Sequence, residues 1–176
     1  MVQRLVTIAL CAALAVFLFV PAASARSYRI VTSNGWITRL GPLHLNDPSL
    51  GHAISVFGQP SSIKPNGGPD ACRVKWPQRR IAATFANFGG SNACTLSGGM
   101  LQALTIRSRA WRTIGGLRVG HSTSRLHRLY PGAELRSGVW ELVTAEFGDT
   151  PVATISALPR NGRVAALKLW VGGAGD

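Results

Sequence analysis

The sequence predicts an α+β protein of two tandem units, each a short helix followed by about three antiparallel strands, with the helices on one face of the sheet. Three observations carry that expectation: the chain matches itself at long range, each copy holds one helix with marked ends, and runs of alternating polarity follow each helix. Gly41 to Leu45 parallels Gly115 to Val119, and Ser49, Ala53, Val56, Phe57 and Gly58 match Ser122, Leu126, Leu129, Tyr130 and Pro131 at a constant offset of 73. Gly99 to Ile106 then matches Gly162 to Leu169, once a longer stretch after Cys72 is allowed for in the first copy. The expected divisions are a signal segment at 1–25, a lead segment at 26–40, a first unit at 41–109 and a second at 110–176.

The chain opens with one cation at Arg4, an apolar run from Leu5 to Val20, then Pro21 and the small-residue pattern Ala23-Ser24-Ala25. That order predicts a secretory signal cleaved after Ala25, so that the mature chain starts at Arg26. Cys11 follows Leu10 inside the apolar run and lacks the small residue that must precede a lipid-modified cysteine, so it belongs to the discarded segment. An uncleaved anchor is the alternative, although the run is short for a span of ~20 residues. No later segment is apolar enough to cross a membrane.

Arg26 to Arg39 adds an opening strand. In the first unit Asp47 is the expected N-cap and Pro48 the first helical residue; Leu50, Ala53, Ile54 and Phe57 form the apolar stripe, and Gly58 with Pro60 stops the helix. Arg73 to Trp76 and Ile81 to Phe85 alternate around Pro77-Gln78-Arg79-Arg80 as a hairpin, and Leu101 to Ile106 supplies a third strand. In the second unit Ser122 caps a helix carrying Leu126, Leu129 and Tyr130, and Pro131-Gly132 ends it. Its strands are Val139 to Val143, Val152 to Leu158 and Val164 to Val171, with Arg160-Asn161-Gly162 as the tight turn.

Charge narrows the classes of partner. Lys and Arg number 19 against 7 Asp and Glu, a formal net charge of +12. All but Lys64, Lys75 and Lys168 are arginine, which forks onto carboxylate or phosphate with two parallel bonds. A polyanionic partner is one reading and a merely soluble, arginine-rich surface the other. The cations are scattered, with Arg79-Arg80 and Arg107, Arg109 and Arg112 as local groups, so no nucleic-acid tract emerges. Cys72 and Cys94, 22 positions apart, suit one disulfide in an exported protein. With no histidine beside them they make a poor zinc site, and no cofactor is expected.

The pattern Gly120-His121-Ser122, Leu126, Leu129-Tyr130-Pro131, with Leu43 to Pro60 as a looser copy, resembles the helical signature of SmpA/OmlA-like envelope proteins and of the β-lactamase inhibitory proteins, BLIP. The BLIP likeness implies short helices on an antiparallel sheet in exported tandem repeats with an internal disulfide. Members of these families act mainly by binding other proteins, so the likeness implies an interaction module. The acidic, aromatic inhibitor face has no match in this basic chain, and no family site residue is carried over.

The residues themselves offer little reaction chemistry. His121 and His127 lie six apart, whereas ligands on one helical face are three or four apart. His127 falls at a stripe position, and His121, His44 and His52 read as turn, strand and polar-face residues. There is no GxSxG elbow, and Glu141, Glu146 and Asp149 form the sole local acidic cluster. A hydrolase would need a deep pocket of converging titratable groups. Alternation instead points Leu104, Ile106, Leu167 and Leu169 to the core and Thr105, Arg107, Lys168 and Trp170 to the opposite face. Trp170 beside cations either stacks on a ligand or is buried between units. Trp76 and Trp140 occupy matching core places.

The functional expectation is a non-catalytic binding module that contacts an envelope or extracellular protein through an exposed sheet face. Its candidate residues are Trp170, Lys168, Arg107, Arg109, Arg79 and Arg80. Capture of an anionic cell-wall polymer by those arginines is the alternative, and an unrecognised hydrolase the second.

Overall fold

The computed structural model describes residues 27–172. The signal segment expected at 1–25 lies outside the described residues. Twelve strands and two α-helices follow one another as β1 (Tyr28–Ser33), β2 (Trp36–Leu40), β3 (Leu43–His44), α1 (Leu50–Phe57), β4 (Ser62–Pro65), β5 (Ala71–Trp76), β6 (Ile81–Ala86), β7 (Met100–Ile106), β8 (Trp111–Arg112), α2 (Thr123–Leu129), β9 (Glu134–Arg136), β10 (Val139–Phe147), β11 (Thr150–Arg160) and β12 (Arg163–Trp170). They form a small sheet in the order β3-β2-β1-β8 and a large one in the order β4-β5-β6-β7-β12-β11-β10-β9.

This corrects the expected fold class. The protein is mostly β, and it is not two tandem units of a helix plus three strands. Three physical reasons account for the difference. β7 pairs with β12 through Leu104 opposite Leu169 and Ile106 opposite Leu167, which fuses the strands into one antiparallel sheet of eight. The edge strands β4 and β9 are exposed almost throughout, so no apolar alternation betrays them. The lead segment forms not one strand but β1 and β2, which join β3 and, in parallel, β8.

Local chemistry explains the helix ends. Ser49, not Asp47, caps α1: its Oγ accepts from the His52 backbone N–H at 3.2 Å, a contact worth about 1 kcal/mol. Pro48 cannot begin the helix because its carbonyl accepts from Leu101 N at 2.8 Å while Ser49 bridges Met100, which keeps 48–49 extended. Asp47 accepts from Ser49 N, and the Ser49 hydroxyl first and that N–H second hold its carboxyl below the usual carboxylate range. Ser122 caps α2 in the expected way, accepting from Arg125 N at 3.1 Å.

The core takes the inward side chains of the large sheet together with Leu50, Ala53 and Phe57 of α1 and Leu126 of α2. Trp76, Ile81, Ile106, Leu167 and Ala157 stand opposite one another in a single row from β5 to β11, all buried. Each large side chain so buried contributes about 1.5–3 kcal/mol. Phe57 meets Trp76 edge-on at 5.6 Å and Trp111 at 6.1 Å, joining α1 to both sheets. Cys72 on β5 and Cys94 form a disulfide, which fastens the 87–99 loop. Among the described residues no helix is long and apolar enough to cross a membrane.

Candidate binding surface

Register sorts the other side chains of the large sheet onto an outward face. One row runs Lys75, Ala82, Thr105, Lys168, Ser156 and Glu141 across β5, β6, β7, β12, β11 and β10. The next runs Lys64, Arg73, Thr84, Ala103 and Trp170 from β4 to β12. Between the cations of β5 and Lys168 of β12 the floor is therefore Ala82, Thr84, Ala103 and Thr105, all small. Three strand spacings make this trough about 14 Å wide. At its β5 side Asn66 and Arg73 overhang the floor and enclose a hollow of about 200 Å³.

The walls are cationic. Lys64 and Arg73 face each other directly across β4 and β5, a like-charge pairing that costs stability. Lys75 stands two residues along on the same face, and Lys168 rises exposed from β12. None of them is within ion-pair distance of a described carboxylate: among the described residues, Arg136 is the sole Lys or Arg that is.

An aromatic cluster closes the trough beyond β12. Trp170 is half-buried, with its ring 5.7 Å from that of Trp36 and 5.9 Å from that of Phe147. Trp36 opens β2 directly after the β1–β2 turn, where Asn34 and Gly35 both take positive φ and reverse the chain. Trp170 is thus neither free for stacking on both faces nor buried between two units. Phe147 keeps half its surface exposed.

The remaining expected residues fall in different places. Arg79 donates from Nε to the Phe57 carbonyl and from Nη1 to the Tyr28 hydroxyl at 2.9 Å, so its guanidinium clamps α1 to β1. Arg80 and Arg107 are exposed neighbours, the Arg107 N–H donating to the Arg80 carbonyl at 2.9 Å. Arg109 lines a separate hollow with Arg118, His121 and Arg163. Sequence reasoning did not single out Arg73, Lys75, Trp36 or Phe147. The alternation Cys72-Arg73-Val74-Lys75-Trp76 carries the signal for the first two, and the Asn34-Gly35 turn carries it for Trp36.

The acidic residues regroup as well. Glu141 meets Glu134 rather than Glu146 or Asp149, and Arg136 stands between them, 2.6 Å from a Glu134 oxygen and 3.7 Å from one of Glu141. The Glu134 hydrogen bond first, then the charges of both carboxylates, raise the Arg136 guanidinium above its ordinary value. His127 does not meet His121; its ring abuts Trp140 edge-on at 4.4 Å. No group of three His, Cys, Asp or Glu suited to a metal occurs among the described residues.

Comparison with family models, curated proteins and solved structures finds no match to this chain.

Proposed function

We propose that the protein is a non-catalytic binding module of the envelope or extracellular space, exported by its 1–25 segment, and that its trough receives an acidic segment of a partner protein. The observation that carries this reading is the set of four cations, Lys64, Arg73, Lys75 and Lys168, around a floor of alanine and threonine, with no carboxylate among the described residues within ion-pair distance of them. A partner carboxylate relieves the repulsion between Lys64 and Arg73, and the small floor residues allow close approach. A helix, about 10–12 Å across with its side chains, fits the 14 Å span. The disulfide supports an oxidising location.

The test is a titration of isotope-labelled mature protein with a Glu-rich helical peptide and, separately, with a peptide of the same composition whose glutamates are amidated. Amide shifts confined to Arg73, Lys75, Thr84, Ala103, Thr105 and Lys168, seen for the acidic peptide alone, fit the reading. Shifts spread over Arg80, Arg107 and Arg109, or the same response to any polyanion, point to the cell-wall polymer instead and contradict it.

A further inference from the structure

Away from the trough, three chain segments converge on Gly120. Arg109 arrives from the β7–β8 connection, Arg118 to His121 from the β8–α2 connection, and Arg163 from the start of β12; together they line a wide-mouthed hollow of about 280 Å³. Gly120 is the pivot. Its N–H donates to the Val164 carbonyl at 2.7 Å, and its own carbonyl accepts from Arg163 Nη1 at 2.9 Å. A Cβ at position 120 would lie 3.0 Å from Arg109 Nε, and the residue's φ of 91° suits glycine alone. Two guanidinium groups thus meet at one α-carbon, one above it and one on its carbonyl.

The hollow has no negative charge to balance them. Its lining contains three arginines and a histidine and no acid. None of these arginines is within ion-pair distance of any described carboxylate. Arg163 uses one of its five donors on Gly120 and makes no other side-chain hydrogen bond to a described residue. His121 is anchored by exchange of backbone bonds with β12, since Val164 N donates to its carbonyl at 2.9 Å. Its Nδ1 is buried without a hydrogen-bond partner.

We propose that this hollow is a second, separate binding site for a phosphate-type oxyanion, held by Arg109, Arg118 and Arg163 with His121 beside it. Forked guanidinium donors from three directions match the several acceptor oxygens of such a group. The cavity falls just below the size range of small-molecule sites, so its occupant is a free oxyanion or one small phosphorylated group. Desolvation, then Arg125 and Arg118, hold the His121 imidazole below its ordinary value. Arg109 and Arg163 add to that cationic surrounding, and a bound anion raises the imidazole toward protonation.

The experiment is calorimetric titration of the mature protein with inorganic phosphate, sulfate and glycerol phosphate at fixed ionic strength, with the His121 ring followed by NMR. The expected result is saturable one-to-one binding that shifts the His121 ring signals. Arg109→Gln and Arg118→Gln should each weaken it about tenfold, the loss of roughly one charge-assisted bond, with unchanged melting temperature. Tighter binding of glycerol phosphate than of phosphate identifies a phosphorylated molecule as the source, and the reverse identifies the free ion. No saturable binding at millimolar phosphate overturns the proposal. Equal weakening by Arg73→Gln in the trough also overturns it, because the effect is then only net charge.

Discussion

The Thr154 hydroxyl donates a 2.6 Å hydrogen bond to the Gly35 carbonyl, tying the β1–β2 turn to β11 across 119 residues of sequence. Thr154 is fully buried, and a Cβ at position 35 would collide with the Thr144 carbonyl. With a second bond from the same hydroxyl to the Val143 carbonyl at 3.3 Å, this contact holds the turn that precedes Trp36, whose ring packs on Phe147 and Trp170 where the trough ends. Thr154→Val keeps the shape but leaves the Gly35 carbonyl unpaired, and should cost about 1–3 kcal/mol in urea unfolding. Gly35→Ala should cost more, because it adds the collision and a strained φ of 81°. A smaller loss in Gly35→Ala than in Thr154→Val would refute this docking.

Removal of the disulfide tests the loop that it fastens. Cys72→Ala with Cys94→Ala frees a closed loop of 22 residues and should lower stability by about 3 kcal/mol on loop entropy. Denaturant unfolding in oxidised and reduced buffer reads it: the wild type should lose stability on reduction, and the double variant should not respond.

Phe57 is the side chain on which the helix and both sheets meet. Truncation to Ala leaves a void between Trp76 and Trp111 and should cost about 3–5 kcal/mol. Tryptophan fluorescence should report loosened packing in the native state. A loss below about 1 kcal/mol would mean that α1 is not integral to the core.

His121 gives a pH dependence with a definite sign. Its folded value lies below the ordinary 6.5, so below that pH the unfolded chain binds more protons than the folded one. The contribution is fully present above pH 6.5 and is lost as pH falls through the folded value. Wild type should therefore lose more stability than His121→Gln between neutral pH and pH 5, and phosphate should narrow the gap. Parallel pH curves for the two proteins would contradict the assignment.

Some of this architecture is legible in the sequence, and the reason is locality. Ser122 as a cap, Asn161-Gly162 as a turn and the inward row Leu104, Ile106, Leu167 and Leu169 all follow from residues within one element. The fold class failed because β4 and β9 are short edges that bury almost nothing, and because the parallel β1–β8 pairing joins segments some eighty residues apart. In the trough, Lys168 and Trp170 are readable from alternation. Arg73 and Lys75 show the same pattern, yet only the β5-β6-β7-β12 order places them across the floor from Lys168. The Arg109, Arg118 and Arg163 cluster has no local signal, since a glycine turn and the start of β12 bring it together.

The most direct test of the central claim is site-specific photocrosslinking in the native envelope, with the photoreactive residue at Thr84 on the trough floor and, as control, at exposed Ser55 on α1. The account predicts a discrete crosslink from Thr84 to an acidic stretch of another protein, absent from Ser55 and abolished by Arg73→Glu with Lys75→Glu. Crosslinks from Ser55 but not Thr84, or a Thr84 crosslink that survives the double charge reversal, would contradict it.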